Sequence, residues 1–141
     1  MLNAVVELLN GDLKNEWKHH NFYLHSASLI TGLHAKEYKE FLLKQAESEM
    51  HHIVQFSDLI VGLGGEPTKE SNDFPSLKNP REILEYAAQM EEEVINNYYK
   101  RMQDAESLNS SDGRWIVIFL ENQMEDSRTD LDEIRQILKQ D

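Results

Sequence analysis

The sequence predicts an all-α fold: a four-helix bundle made of two antiparallel hairpins joined by one long crossover. Three observations predict it. Four long segments repeat apolar residues at steps of three and four, no segment alternates at period two, and Gly and Pro cluster between those segments. At 141 residues the chain is expected to form one domain, residues 1–141, large enough to bury a core without covalent staples.

The first helix is expected over about 2–32. Its stripe Leu9, Leu13, Glu16, His20, Tyr23, Ala27, Ile30 steps by four and three, and Gly32 closes it. The second, over about 35–63, carries Tyr38, Leu42, Gln45, Glu49, His52, Phe56, Leu59 and Leu63 in the same rhythm. Residues 64–79 read as a loop bracketed by Gly64, Gly65, Pro67, Pro75 and Pro80. Asn79 followed by Pro80 is a cap and first-turn pair, which starts the third helix at 80 and carries it to about 107. Two stripes satisfy that helix, one through Glu91 and Tyr98 and one through Glu92 and Tyr99. After a Ser/Asp/Gly turn at Asn109–Gly113, Asp112 can cap a fourth helix over about 112–139. Its best apolar stripe is Val117, Leu120, Met124, Ser127, Leu131, Ile134, Leu138, one position away from Glu125.

Composition removes several function classes. There is no cysteine, so disulfides, thiolate metal sites and cysteine nucleophiles are excluded, and a reducing, cytoplasmic setting is expected. Fourteen Lys+Arg against 26 Asp+Glu leave a formal charge of −12, which disfavours nucleic acid and anionic membranes and favours cations. The longest apolar run, Trp115 to Leu120, is too short to span a bilayer, and Met1–Asp12 lacks the basic start of a signal peptide.

The first two stripes are polar in the middle, where a core stripe stays apolar. Burying Glu16, Glu49 and His52 without partners costs several kcal/mol each or forces them neutral. Glu49-x-x-His52 sets two ligand-type side chains one turn apart on one face. The mean of 16 and 49 is 32.5, at the Gly32 turn, so an antiparallel hairpin brings Glu16 and Glu49 to one height. The second half repeats this: 92 and 125 average 108.5, and 125 − 92 = 33 equals 49 − 16 = 33. The sixteen-residue loop can reach roughly 50 Å, enough to run beside a helix of about 42 Å and make the second and third helices parallel. Glu16, Glu49, His52, Glu92 and Glu125 then converge in mid-bundle, a donor set of oxygen and imidazole suited to iron or manganese.

These residues make the chain resemble the ferritin superfamily, most closely bacterioferritin. The family pattern is a Glu on the first helix, Glu-x-x-His on the second, a Glu on the third and Glu-x-x-His on the fourth. Here Glu16, Glu49 with His52, Glu92 and Glu125 stand at intervals of 33, 43 and 33, Tyr23 follows Glu16 by seven, and Glu49-Met50-His51-His52 and Leu63-Gly64-Gly65-Glu66-Pro67 also match. Arg128 departs from the pattern, because it stands where the second histidine belongs and cannot supply an imidazole. Glu91 and Glu121 are the substitutes if Glu92 and Glu125 face outward.

The resemblance implies metal ligands Glu16, Glu49, His52, Glu92 and Glu125, a di-iron centre, and iron(II) oxidation by dioxygen or peroxide for storage or detoxification. It leaves haem, through Met50, as the less favoured cofactor. It also implies a homodimer or larger homo-oligomer through the first two helices, whose outer stripe on the second is Leu43, Ala46, Met50, Ile53, Ser57, Ile60. The sequence reaches Asp141 without a segment for the short fifth helix of bacterioferritin-like cages, so a 24-subunit shell is not expected. His19, His25, His34 and His51 are expected in solvent. Two alternative functions follow from the same residues: a di-iron oxidoreductase acting on peroxide or a small organic molecule, and a metal-poor structural bundle.

Overall fold

The computed structural model describes residues 1–139. Helix α1 runs Leu2–Leu29, α2 Ala35–Gly62, α3 Pro80–Glu106 and α4 Ser111–Leu138, and the described residues contain no strand. These bounds lie within a few residues of those expected. The largest difference is at the end of α1, where Ile30 is already extended at ψ 137° and Gly32 takes φ +111°, a left-handed turn that suits glycine. Asn79 caps α3 by accepting from the Glu82 amide, with Pro80 in the first turn. In place of Asp112, Ser110 caps α4 and accepts from the Gly113 amide.

Two tight connections make α1/α2 and α3/α4 the extensive helix pairs, with α1 against α3 closing the bundle. The crossover lies along α1 for most of its length. Asn10 donates to the Glu66 carbonyl and accepts from the Thr68 amide, the Trp17 indole donates to the Thr68 carbonyl, and the Thr31 amide donates to the Lys78 carbonyl. The chain therefore travels from the start of α1 back to its end before α3 begins, and α2 and α3 run parallel. Side-chain bonds to the loop supply what an irregular backbone cannot make for itself.

The core is divided in two. One apolar half gathers Leu9, Leu13, Ile53, Phe56, Ile60, Ile116 and Leu120, and the other Phe22, Ala27, Leu42, Ala46, Ile83, Leu84 and Met90. Between them lies a buried polar layer containing Glu16, His19, Glu49, His52 and Glu91. Tyr98 belongs to the first half and Tyr23 to the second, so each half presents a phenol to this layer. No helix among the described residues is long and apolar enough to cross a membrane.

Candidate metal centre

Glu16 and His19 point inward from adjacent turns of α1, and Glu49 and His52 from adjacent turns of α2. Glu91 arrives from α3. Their donor atoms form two triads, Glu16–Glu49–His52 and His19–Glu49–Glu91, within each of which the atoms lie within 4.8 Å of one another. Glu49 belongs to both. His52 Nδ1 stands 3.2 Å from Glu16 Oε1 and 3.6 Å from Glu49 Oε2. His19 Nδ1 stands 3.8 Å from both Glu49 Oε1 and Glu91 Oε1.

Phenols and an outer carboxylate hold this layer in place. Tyr98 donates to Glu16 Oε2 at 2.8 Å, and Tyr23 donates to Glu91 Oε2 at 2.9 Å. His52 Nε2 meets Asp126 Oδ2 at 3.2 Å. A carboxylate on one ring nitrogen orients the imidazole and leaves the other nitrogen, Nδ1, for the interior. One turn before Glu16, the buried Asp12 accepts from Arg101 Nε at 2.8 Å and from Nη2 at 3.1 Å.

Burial drives the electrostatics. It pushes Glu49 well above the usual carboxylate range, and the neighbouring Glu16 pushes it further. Burial also raises Glu91, to about 8, with His19 opposing and Glu49 assisting. For His52 burial opposes the charge, but the bond to Glu16 and the carboxylates of Glu49 and Glu16 outweigh it and hold the ring up to about 10. Burial would raise Glu16 as well, yet the bond to His52 and the positive charge of His19 and His52 bring it below its ordinary value. Protons thus do part of the work of charge compensation that a cation would do in full.

Whether a cation suits these residues can be judged from their unmet bonds. His19 Nδ1, Glu49 Oε2, Glu91 Oε1 and Asp130 Oδ2 are buried without a hydrogen-bond partner. Leaving such atoms bare costs about 1–3 kcal/mol apiece, and more for charged groups. Carboxylate oxygen and imidazole nitrogen are the donors that iron and manganese accept. The donor types fit such an ion.

A family model described as a ferritin-like domain matches residues 6–141. The chain belongs to the ferritin-like domain family. This ferritin-like domain is similar to the ferritin like, diiron-carboxylate proteins from Bacillus anthracis str. Ames, at 31% identity and TM-score 0.88 over 97% of this chain and 96% of that one. It is also similar to Rhodobacter capsulatus bacterioferritin (20% identity, TM-score 0.85, 97% of this chain and 84% of that one). Desulfovibrio desulfuricans bacterioferritin gives 21% identity and TM-score 0.86 over 98% and 80% of the two chains. At those identities the two bacterioferritins establish the fold alone. No curated protein matches the chain in sequence.

Of the five expected ligands of this ferritin-like domain, Glu16, Glu49 and His52 meet in the buried layer, and Glu92 and Glu125 do not join them. Glu92 is exposed and accepts from Arg135 at 3.0 Å. Glu125 is exposed beside Ile95, Met102 and Met124 on the outer face between α3 and α4. Of the two substitutes, Glu121 on α4 is exposed too, whereas Glu91 on α3 is fully buried. The physical reason is the roll of each helix. α3 turns the Glu91/Tyr98 stripe inward, and α4 turns in the apolar stripe through Leu120, Ser127, Leu131 and Ile134. Arg128 points to solvent and pairs with Asp132.

His19 is a correction: expected in solvent, it is 3% exposed. A stripe through 16 and 23 can pass through 19 or 20, and the interior took 19, leaving His20 half-buried beside Asn21 and Trp17. The Glu16-x-x-His19 spacing, identical to Glu49-x-x-His52, was the available signal. Asp130, Asp126 and the Arg101–Asp12 pair carried no comparable signal, because each is defined by contacts between helices. Met50 lies on the exposed side of α2.

Proposed function

We propose that this ferritin-like domain oxidises iron(II) to iron(III) at a two-metal site inside its bundle, serving iron storage or detoxification. The observation that carries the reading is Glu49 shared by two buried oxygen-and-imidazole triads, one on each side of it. Glu16 and His52 would hold one iron with Glu49, and Glu91 would hold the other across the same carboxylate. Carboxylate oxygen favours iron(III) over iron(II), which lowers the potential and lets dioxygen or peroxide act as oxidant.

The residues themselves manage charge and water. Two substrate cations entering the layer displace the protons that burial keeps on Glu49 and Glu91 and that the carboxylates keep on His52. Each iron(II) gives up one electron, and a peroxide molecule taking both, with two protons, leaves as two waters. Tyr23 and Tyr98 hold Glu91 and Glu16 at fixed heights, and the apolar halves above and below keep bulk water out. The −12 charge raises the local concentration of cations.

Leu43, Met50, Val54 and Val61 are exposed along one side of α2, which favours a homodimer through α1 and α2. A metal-poor structural bundle is opposed by the unmet buried atoms of Glu49 and Glu91. Anaerobic iron(II) titration of metal-stripped protein, followed by air, tests the function. Two irons per chain and rapid growth of iron(III) absorbance, both lost in Glu49→Ala, are expected; no bound iron would hand the chain to the structural reading.

A further inference from the structure

The two hairpins are related by an internal repeat of 75 residues: 91 − 16 = 75 and 98 − 23 = 75, and the two phenols bond crosswise, Tyr23 to Glu91 and Tyr98 to Glu16. Adding 75 to Glu49 and His52 leads to Met124 and Ser127 on α4. Neither can supply a carboxylate or an imidazole. The repeat is therefore broken on α4, and the side of Glu49 that faces Glu91 lacks the nitrogen and the oxygen that symmetry would provide.

What stands there instead is drawn from elsewhere. The four charged-type atoms left bare in the interior come one from each helix: His19 Nδ1 from α1, Glu49 Oε2 from α2, Glu91 Oε1 from α3 and Asp130 Oδ2 from α4. The His19 side chain is 4% exposed, and its Nδ1 is equidistant from Glu49 and Glu91. Asp130 is one turn beyond the small Ser127. Burial raises its carboxyl to about 6, with the charges of His52 and His19 pulling the other way.

Resting on the two-metal reading, we infer that the second metal position is rebuilt from His19 and Asp130, which with Glu49 and Glu91 give a divalent first-row cation one nitrogen and three carboxylates, one donor from each helix. The imidazole missing from α4 is replaced by one on α1, and the α4 carboxylate stands one turn beyond Ser127, the position where the repeat would have placed the histidine. Each position keeps one histidine, His52 on one side of Glu49 and His19 on the other.

Cobalt(II), which reports ligation by its visible d–d absorption and is stable without oxygen, tests this on the intact metal-stripped chain. The wild type takes two equivalents. His19→Gln and Asp130→Asn each weaken one equivalent by tenfold or more and leave the other, while Glu92→Gln and Glu125→Gln change neither. Two equivalents at wild-type affinity in both His19→Gln and Asp130→Asn overturn the inference and leave the two-metal reading standing. Fewer than two in the wild type overturn that reading and this inference with it. A wild-type measurement guards against variants that fail to fold: with 15N-labelled histidine and zinc, the ring nitrogens of both His19 and His52 shift, and a shift confined to His52 sinks the assignment.

Discussion

Tyr98 donates its hydroxyl to Glu16 at 2.8 Å across the α1–α3 contact, from a ring with no exposed surface. The bond satisfies an acceptor that neither water nor a backbone amide reaches. Tyr98→Phe removes the donor and keeps the packing, so the metal-free protein loses about 1–3 kcal/mol while its helicity is retained. Tyr23→Phe does the same to Glu91. Urea unfolding of the two variants checks this, and a loss below about half a kcal/mol in both would show that the phenols do not hold these carboxylates.

The pH dependence of metal-free stability has a defined sign. Glu91 has a folded pKa of about 8 against an ordinary 4.5, so its contribution is complete below about 4.5 and is lost as pH rises through 8. Asp130, up at about 6 from 3.8, acts the same way at lower pH. His52, raised from 6.5 to about 10, extends the loss upward. Metal-free protein therefore melts at a lower temperature at about pH 8.5 than at about pH 5.5, with Glu91 alone worth at most about 5 kcal/mol. Bound cations remove the need for those protons, so zinc-loaded protein shows the reverse trend. Parallel melting curves with and without zinc read the contrast directly.

The partly buried Arg101 makes two bonds to the buried Asp12, one turn from Glu16. Even with Arg101 alongside, burial keeps Asp12 up at about 6. Arg101→Ala strands the carboxylate and costs about 3–5 kcal/mol. Replacing both, Asp12→Leu with Arg101→Met, costs less than Arg101→Ala alone, because no buried charge is left unpaired and the side chain of Asp104, the other partner of Arg101, is 42% exposed. A double variant as unstable as the single one would mean that the pair is needed for packing more than for charge.

Adjacent glutamates on α3 separate site from surface. Glu91→Gln lowers the rate of iron oxidation tenfold or more under the proposed function, whereas Glu92→Gln breaks only an exposed contact to Arg135 and changes stability by less than about 1 kcal/mol. Stopped-flow iron(III) absorbance on the two variants decides between them, and equal rates would return Glu92 to consideration.

Much of this organisation was legible beforehand because it depends on local periodicity. Four helices follow from apolar steps of three and four, and the heights of Glu16 and Glu49 follow from a symmetric turn at Gly32. The crossover's path follows from its length. Histidine 52 was readable for the same reason, being one turn from Glu49 on a stripe with no competing register.

Register around each helix axis was a different matter. One residue is 100° of rotation, so Glu91 and Glu92 point to different surroundings although their spacings to Glu49 differ by one. His19 and His20 divide in the same way. The sequence by itself determined the helices, their pairing and the presence of a buried polar layer, since these follow from patterns within single segments. Tertiary structure alone decided which carboxylates and imidazoles enter that layer. The roll of α3 and α4 is set by packing Tyr98, Val94, Ile116 and Leu120 against the other hairpin, and that contact turns Glu91 inward and leaves Glu92 and Glu125 in water.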